Sequence, residues 1–234
     1  MTKSLPDHKF SHFQWSNHPP RNLSRGSFLR LHGHQVRHQF TDGSHGPYYE
    51  VEVACPPCLD AVVLVIYTLG PPIQVLLRHG LRPAAAIRTR LSLPPGSDIS
   101  FPDIFWELPT GGVENSDWSL GAEAGLRYRA QQEGWEETGL PLPNTDFFQL
   151  GPASFPTPAF CPEQLYFMAI ALPQPLEPIS APPGDGHPME EGSWVRWLEL
   201  DQALQWCRQG HIVDAKTEMG LRRLQEHLNS MLAD

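Results

Sequence analysis

Hydrophobic positions follow two different patterns in the first half of the chain. Segment 61–69 is a nearly continuous apolar run, which predicts a strand buried on both faces, and segment 73–83 is predicted to be its partner strand in the core. Segments 28–40 and 48–54 instead alternate between apolar and polar residues on either side of Asp42-Gly43. That alternation predicts a β-hairpin, so the first half is expected to hold a hairpin followed by buried strands.

The second half mixes helices with short strands. A helix is predicted from Leu120 to Thr138, with Gly139 as its left-handed C-cap. Three polar residues are candidates for its N-cap: Ser116, Asp117 and Ser119. Further strands are predicted at 104–109, 147–151, 165–172 and 194–200, and further helices at 201–210 and 216–232. Segments 94–103 and 173–192 are predicted loops.

Composition divides the chain into three parts. Residues 1–26 have few aliphatic side chains and many His, Pro, Asn and Ser, which predicts a flexible N-terminal arm. Residues 27–58 hold the predicted hairpin. Residues 59–234 are long enough to form one large domain with its own core.

Charge and hydropathy exclude several classes of protein. The formal charge of −9 repels phosphates at long range and no basic run offers a nucleic-acid surface, so a phosphate ligand would need a cation beside it. The apolar run at 61–67 is too short to cross a bilayer, and residues 1–25 contain no secretory segment. Four scattered cysteines indicate a reducing compartment. We therefore expect a cytoplasmic protein with no membrane or nucleic-acid partner.

Three carboxylates share one face of the predicted helix. Glu133, Glu136 and Glu137 stand at positions i, i+3 and i+4, which brings their side chains within reach of one another. Unless they are simply solvated, a cation must offset their repulsion, and oxygen ligands suit Mg²⁺ or Mn²⁺. The spacing alone favours a solvated helix face, so the surrounding segments decide between the two interpretations.

Those surroundings resemble the Nudix box. The match consists of QEGWEETGL at 132–140 preceded by ELPTGG at 107–112. It departs from the box at Gln132, where the family has Arg, and at Gly134, where it has an apolar residue. Gly112 also lies 20 residues before Gln132 instead of the family's 14, which an insertion near 114–123 would explain.

Flanking segments resemble one branch of that superfamily, the ADP-ribose pyrophosphatases. VLLRHGLRPA, WELPTGG, FPTPAFCPEQ and the C-terminal stretch containing DAKT follow one another in the order found there. The resemblance covers residues 28–228 and implies a Nudix α/β/α sandwich with a mixed sheet, plus a small N-terminal antiparallel β part. It also implies a homodimer that forms through strands in residues 28–53.

The resemblance assigns roles to individual residues. It implies four metal ligands for Mg²⁺ or Mn²⁺: the carbonyl of Thr110, Glu133, Glu136 and Glu137. It implies four residues that face the diphosphate: Arg78, Arg82, Gly111 and Gly112. Glu163 would orient or deprotonate the attacking water. Gln132 cannot supply the charge of the family's Arg, which helps to orient the carboxylates.

The resemblance implies Mg²⁺-dependent hydrolysis of a nucleoside diphosphate linked to a sugar, with ADP-ribose as the expected substrate. The products would be a nucleoside monophosphate and a sugar phosphate. A GDP- or UDP-sugar is an alternative substrate, because base selection depends on residues outside the box. A second alternative is a Nudix-fold binding or regulatory module whose chemistry has decayed, which the departures permit.

Other motifs have plainer interpretations. The CxxC of Cys55 and Cys58 has no second ligand pair for zinc and is taken as a turn. Four histidines, His32, His34, His38 and His45, are taken as solvated surface. Arg88 and Arg90 either contact a phosphate or are surface charges. Three tryptophans are expected in the core, although one of them could stack on a nucleobase: Trp106, Trp194 and Trp197.

Overall fold

The computed structural model describes residues 10–26, 28–92, 94, 104–177, 182, 184, 186 and 194–231. Its chain contacts separate into two units. The smaller unit comprises Met1–Leu59 with Thr157–Glu163, and the larger comprises Asp60–Pro156 with Gln164–Asp234. The predicted loops at 94–103 and 173–192 fall mostly outside the described residues.

The smaller unit is an antiparallel sheet built on one long strand. Its strands are β1 (Phe10–Trp15), β2 (Arg21–Arg25), β3 (Arg30–Phe40) and β4 (Tyr49–Cys55). All three other strands pair with β3, so the predicted hairpin is confirmed as the β3–β4 pair. The flexible arm is wrong for residues 10–25, because β1 and β2 satisfy their backbone by pairing with β3 without needing an aliphatic core.

A mixed sheet forms the centre of the larger unit. Its strands are β5 (Asp60–Thr68), β6 (Gln74–Leu81), β7 (Ile104–Glu107), β8 (Thr110–Gly112), β9 (Phe148–Gln149), β10 (Gln164–Leu172) and β11 (Trp194–Glu199). The order across the sheet is β11-β6-β5-β10-β9, with β7 paired to β6 and β8 paired to β5. Strand β10 runs parallel to β5, and the remaining pairs are antiparallel.

Helices cover both faces of this sheet. They are α1 (Pro83–Ala86), α2 (Asn115–Trp118), α3 (Ala122–Thr138), α4 (Leu200–Gln209) and α5 (Ala215–Met231). Val63 and Val65 of β5 belong to a cluster with residues of α4 and α5, whereas Val62 and Leu64 belong to a cluster with residues of α3. Because successive side chains of a strand point to opposite faces, β5 needs an unbroken apolar sequence. The α/β class and its mixed sheet are confirmed.

Helix α3 matches the prediction at its end but not at its start. Gly139 is its left-handed C-cap with φ 68°, as predicted. The three N-cap candidates are wrong, because the helix begins after Gly121 and Asp117 belongs to α2. At Gly134 an added Cβ would approach Leu142 Cδ1 to 2.8 Å, so Leu142 takes the space of the missing side chain. The next residue, Trp135, is 42% exposed.

Among the described residues, every helix is too short or too polar to pass through a lipid bilayer.

Candidate functional site

Two carboxylates of α3 are buried against strand β8. Glu133 and Glu137 are one helical turn apart and only 7% and 5% exposed, and Glu136 is half-buried. Strand β8 is held in place by its pairing with β5, the central strand. Buried carboxylates are rare unless they are paired, so the partners of this pair define the site.

Both oxygens of Glu137 have a partner. The backbone N–H of Thr110 donates to Oε2 at 2.7 Å, and Arg78 forms an ion pair with Oε1. Arg78 comes from β6 and is itself only 3% exposed. The sequence predicted Thr110, Glu137 and Arg78 as site residues, and the structure brings all three together.

Glu133 lies directly on the backbone of Gly111. An added Cβ at Gly111 would overlap the Glu133 carboxylate, so this position requires glycine for close approach. Arg129 Nη1 stands 3.5 Å from Glu133 Oε1. Gly111 was expected to face a diphosphate, which stays a prediction; in the structure it makes room for a carboxylate. Gly112, the next residue of β8, pairs with Ala61.

A second charge network surrounds Glu107, which is fully buried at the end of β7. Arg82 donates to both of its oxygens, at 2.9 Å from Nε and 2.6 Å from Nη2, and Lys216 Nζ lies 3.5 Å away. Arg82, expected to face the diphosphate, is therefore engaged by a carboxylate. Sequence reasoning missed Glu107, although an acid within the apolar strand at 104–109 was a usable signal.

The start of α5 is tied to the segment between β7 and β8. Asp214 caps the helix by accepting from Thr217 N at 3.1 Å and from Thr217 Oγ1 at 2.6 Å. The same hydroxyl accepts from Leu108 N at 2.8 Å. Asp214 also pairs with Lys216 at 3.0 Å. The DAKT stretch thus fixes the backbone just before Thr110.

Glu163 is half-buried and belongs to the smaller unit, so its role toward water stays a prediction.

The carboxylates of α3 suit a divalent cation in the type of donor atom they offer. Glu133, Glu136 and Glu137 offer only oxygen atoms, which suits Mg²⁺ or Mn²⁺ chemically. However, within the described ranges no three side chains of His, Cys, Asp or Glu are placed to share one metal ion. The positive charge beside the two buried carboxylates comes from Arg78 and Arg129. The oxygen donors therefore fit a divalent ion chemically. A bound ion would supply part of the positive charge that Arg78 and Arg129 place beside Glu137 and Glu133.

Aromatic side chains gather on the face of the larger unit's sheet that lies opposite to α3. His79 follows Arg78 on β6 and so points the other way, 5.2 Å from the ring of Trp106 and 4.8 Å from that of Trp194. Burial lowers the pKa of His79, which favours its neutral form. Trp106 packs on the cluster with α4 and α5, and Trp197 on the cluster with α3. Stacking of one tryptophan on a base stays a prediction.

The remaining candidates lie apart from the carboxylates in the chain. Cys55 ends β4, and a bend at 57–59 leads from it into β5 without an intervening helix. His32 and His34 are stacked on β3 with centroids 6.2 Å apart. Arg88 belongs to the short 3₁₀ helix Ile87–Arg90 and is exposed.

Comparison with solved structures adds a likeness in fold. A chain described as "Crystal structure of ADP compounds hydrolase" aligns with a TM-score of 0.62 over 96% of this chain and 98% of that chain. Sequence identity is 13%, so the likeness establishes a shared fold. No protein-family model matches the chain, and no curated protein matches it in sequence.

Proposed function

We propose that the chain is a Nudix-type, divalent-metal-dependent hydrolase that cleaves the diphosphate of a nucleoside diphosphate sugar. The observation that supports this most is the burial of Glu133 and Glu137 against β8, with Arg78 between strand and helix. A buried ion pair adds little to the stability of a fold, because the cost of desolvating both charges offsets their attraction. Function is the better reason for keeping charges in this position. The shared fold with an ADP compounds hydrolase supports the same proposal.

Each residue has a role in the proposed reaction. Glu133 and Glu137, with Glu136 and the carbonyl of Thr110, hold the cation. Mg²⁺ or Mn²⁺, when bound, supplies polarisation of a phosphoryl oxygen and lowers the pKa of a water. Arg78 donates to the diphosphate oxygens, which bidentate guanidinium geometry suits.

The proposed hydrolysis needs no covalent intermediate with the protein. The water oxygen bonds to one phosphorus, the bridging oxygen departs with the other, and the proton of the water passes to solvent. The products are a nucleoside monophosphate and a sugar phosphate. Base selection by residues outside α3 keeps GDP- and UDP-sugars as alternative substrates.

A second candidate is a binding or regulatory module without chemistry. It is favoured by the guanidinium partners of Glu133 and Glu137, which neutralise the carboxylates without a metal. In that case the chain would bind nucleotide sugars and leave them intact.

A substrate panel separates the two candidates. ADP-ribose, a GDP-sugar and a UDP-sugar are incubated with the full chain in Mg²⁺, in Mn²⁺ and in excess chelator, and products are separated by ion-exchange chromatography. We expect metal-dependent release of a nucleoside monophosphate from at least one of them. Binding detected by calorimetry with no turnover in any metal would establish the module and refute the hydrolase.

We also propose that the chain forms a homodimer in the cytoplasm through strands in residues 28–53, which include β3 and most of β4. Sedimentation equilibrium is expected to give twice the chain mass of 26.3 kDa. A monomer at micromolar concentration would refute the dimer.

A further inference from the structure

Gln132 carries no charge at the helix position beside Glu133, but a positively charged side chain lies close to Glu133. Arg129 is one turn earlier on the same helix, and its side chain is only 12% exposed. Its Nη1 stands 3.5 Å from Glu133 Oε1, the i+4 position on that face. The positive charge next to this carboxylate is therefore present, but it comes from a different residue.

Arg129 is held in place from the other side by α2. Its Nε donates to Asp117 Oδ2 at 2.9 Å, and its Nη2 lies 3.4 Å from Glu114 Oε1. Asp117 is 1% exposed and also accepts from Glu114 N at 2.8 Å, so its carboxylate has a fixed orientation.

Close packing of α2 on α3 makes this arrangement possible. An added Cβ at Gly125 would overlap the backbone carbonyl of Asp117, so glycine lets the two helices meet there. Helix α2 lies within residues 114–123, the segment that lengthens the spacing between Gly112 and Gln132. The lengthened segment is thus the one that contains Asp117.

We propose that Arg129, anchored by Asp117, is a positioning residue that orients Glu133 and supplies the charge that Gln132 lacks. The proposal rests on the proposed function of the same site. Arg129 contacts Asp117 more closely than Glu133, so it steadies Glu133 while leaving that carboxylate able to serve a cation. The lengthened segment supplies Asp117, which holds Arg129, and Arg129 in turn orients Glu133.

Replacing Arg129 by Gln tests the proposal. We expect kcat to fall and Mn²⁺ binding, measured by calorimetry without substrate, to weaken, each by about 10- to 100-fold, the usual effect of losing a residue that orients a metal ligand. KM is expected to change less than about threefold, because Arg129 does not touch substrate. Adding Gln132→Arg should recover at least about half of the lost affinity on a logarithmic scale. Asp117→Asn should reproduce part of the loss.

Arg127→Gln is the matched control, since Arg127 on the same helix pairs with the exposed Glu123 at 2.7 Å and should affect neither measurement. Circular dichroism of every variant reports folding. If Arg129→Gln behaves like Arg127→Gln, or binds Mn²⁺ more tightly, the positioning role is refuted while the hydrolase stands. If the wild type binds Mn²⁺ and hydrolyses nothing, the hydrolase fails and Mn²⁺ affinity still decides the role of Arg129. If the wild type binds no Mn²⁺, both are refuted.

Discussion

Glu137→Gln is expected to reduce hydrolysis by about 10³-fold or more, because it removes a charged ligand from the proposed cation site while preserving its shape. Thr110 N donates to Glu137 Oε2 at 2.7 Å, and a glutamine oxygen can still accept that bond. The loss should therefore come from the missing charge. Turnover of the best substrate in Mg²⁺, measured per folded molecule, checks it.

The same change also affects stability, and the two effects must be separated. Arg78 would stay buried without its counter-charge, which costs about 3–5 kcal/mol. A domain is stable by only about 5–15 kcal/mol, so the variant approaches its limit. Adding Arg78→Met removes the unpaired charge, and we expect most of the lost stability in urea to return. The double variant should remain inactive, since both charged groups of the site are gone.

Glu123→Gln is the control for this experiment, because the Glu123 side chain lies on α3 but is 79% exposed. An exposed ion pair contributes about 0–1 kcal/mol, so neither activity nor stability should change noticeably. If a folded Glu137→Gln variant keeps its activity within tenfold of the wild type, Glu137 has no role in the reaction.

The sequence predicted the elements that depend on local pattern and missed the contacts that depend on tertiary placement. The unbroken apolar run of β5 and the left-handed Gly139 after α3 follow from periodicity and capping, and both were found. Strands β1 and β2 were missed because both pair with β3 but neither has the regular alternation of apolar and polar residues that marks a half-buried strand.

In the candidate site, too, local pattern predicted some residues, and contacts that depend on tertiary placement were missed. Glu133 and Glu137 were identified by their spacing and by the resemblance of the flanking segments. The partnership of Arg129 with Asp117 joins residues 12 apart across a turn between two helices, and no periodicity predicts it. Glu107 was missed because its partners, Arg82 and Lys216, come from segments 25 and 109 residues away.

Gly111→Ala is expected to have the second large effect, through geometry alone. The new methyl group would overlap the Glu133 carboxylate, which must move because β8 is fixed by its pairing with β5. Overpacking of this kind costs about 1–3 kcal/mol. A catalytic group misplaced by about 1 Å loses about 10²-fold in rate, so activity should fall far more than stability.

Two comparisons decide whether the contact with Glu133 is responsible. Gly70→Ala adds the same methyl group where no atom lies within 4 Å, and it should leave activity unchanged. In a Glu133→Ala background the obstructing carboxylate is gone, so Gly111→Ala should cost less than about 1 kcal/mol in urea unfolding there, and the difference measures the coupling of the two positions. Equal costs in both backgrounds would show that Gly111 is required by the backbone of β8 and not by Glu133.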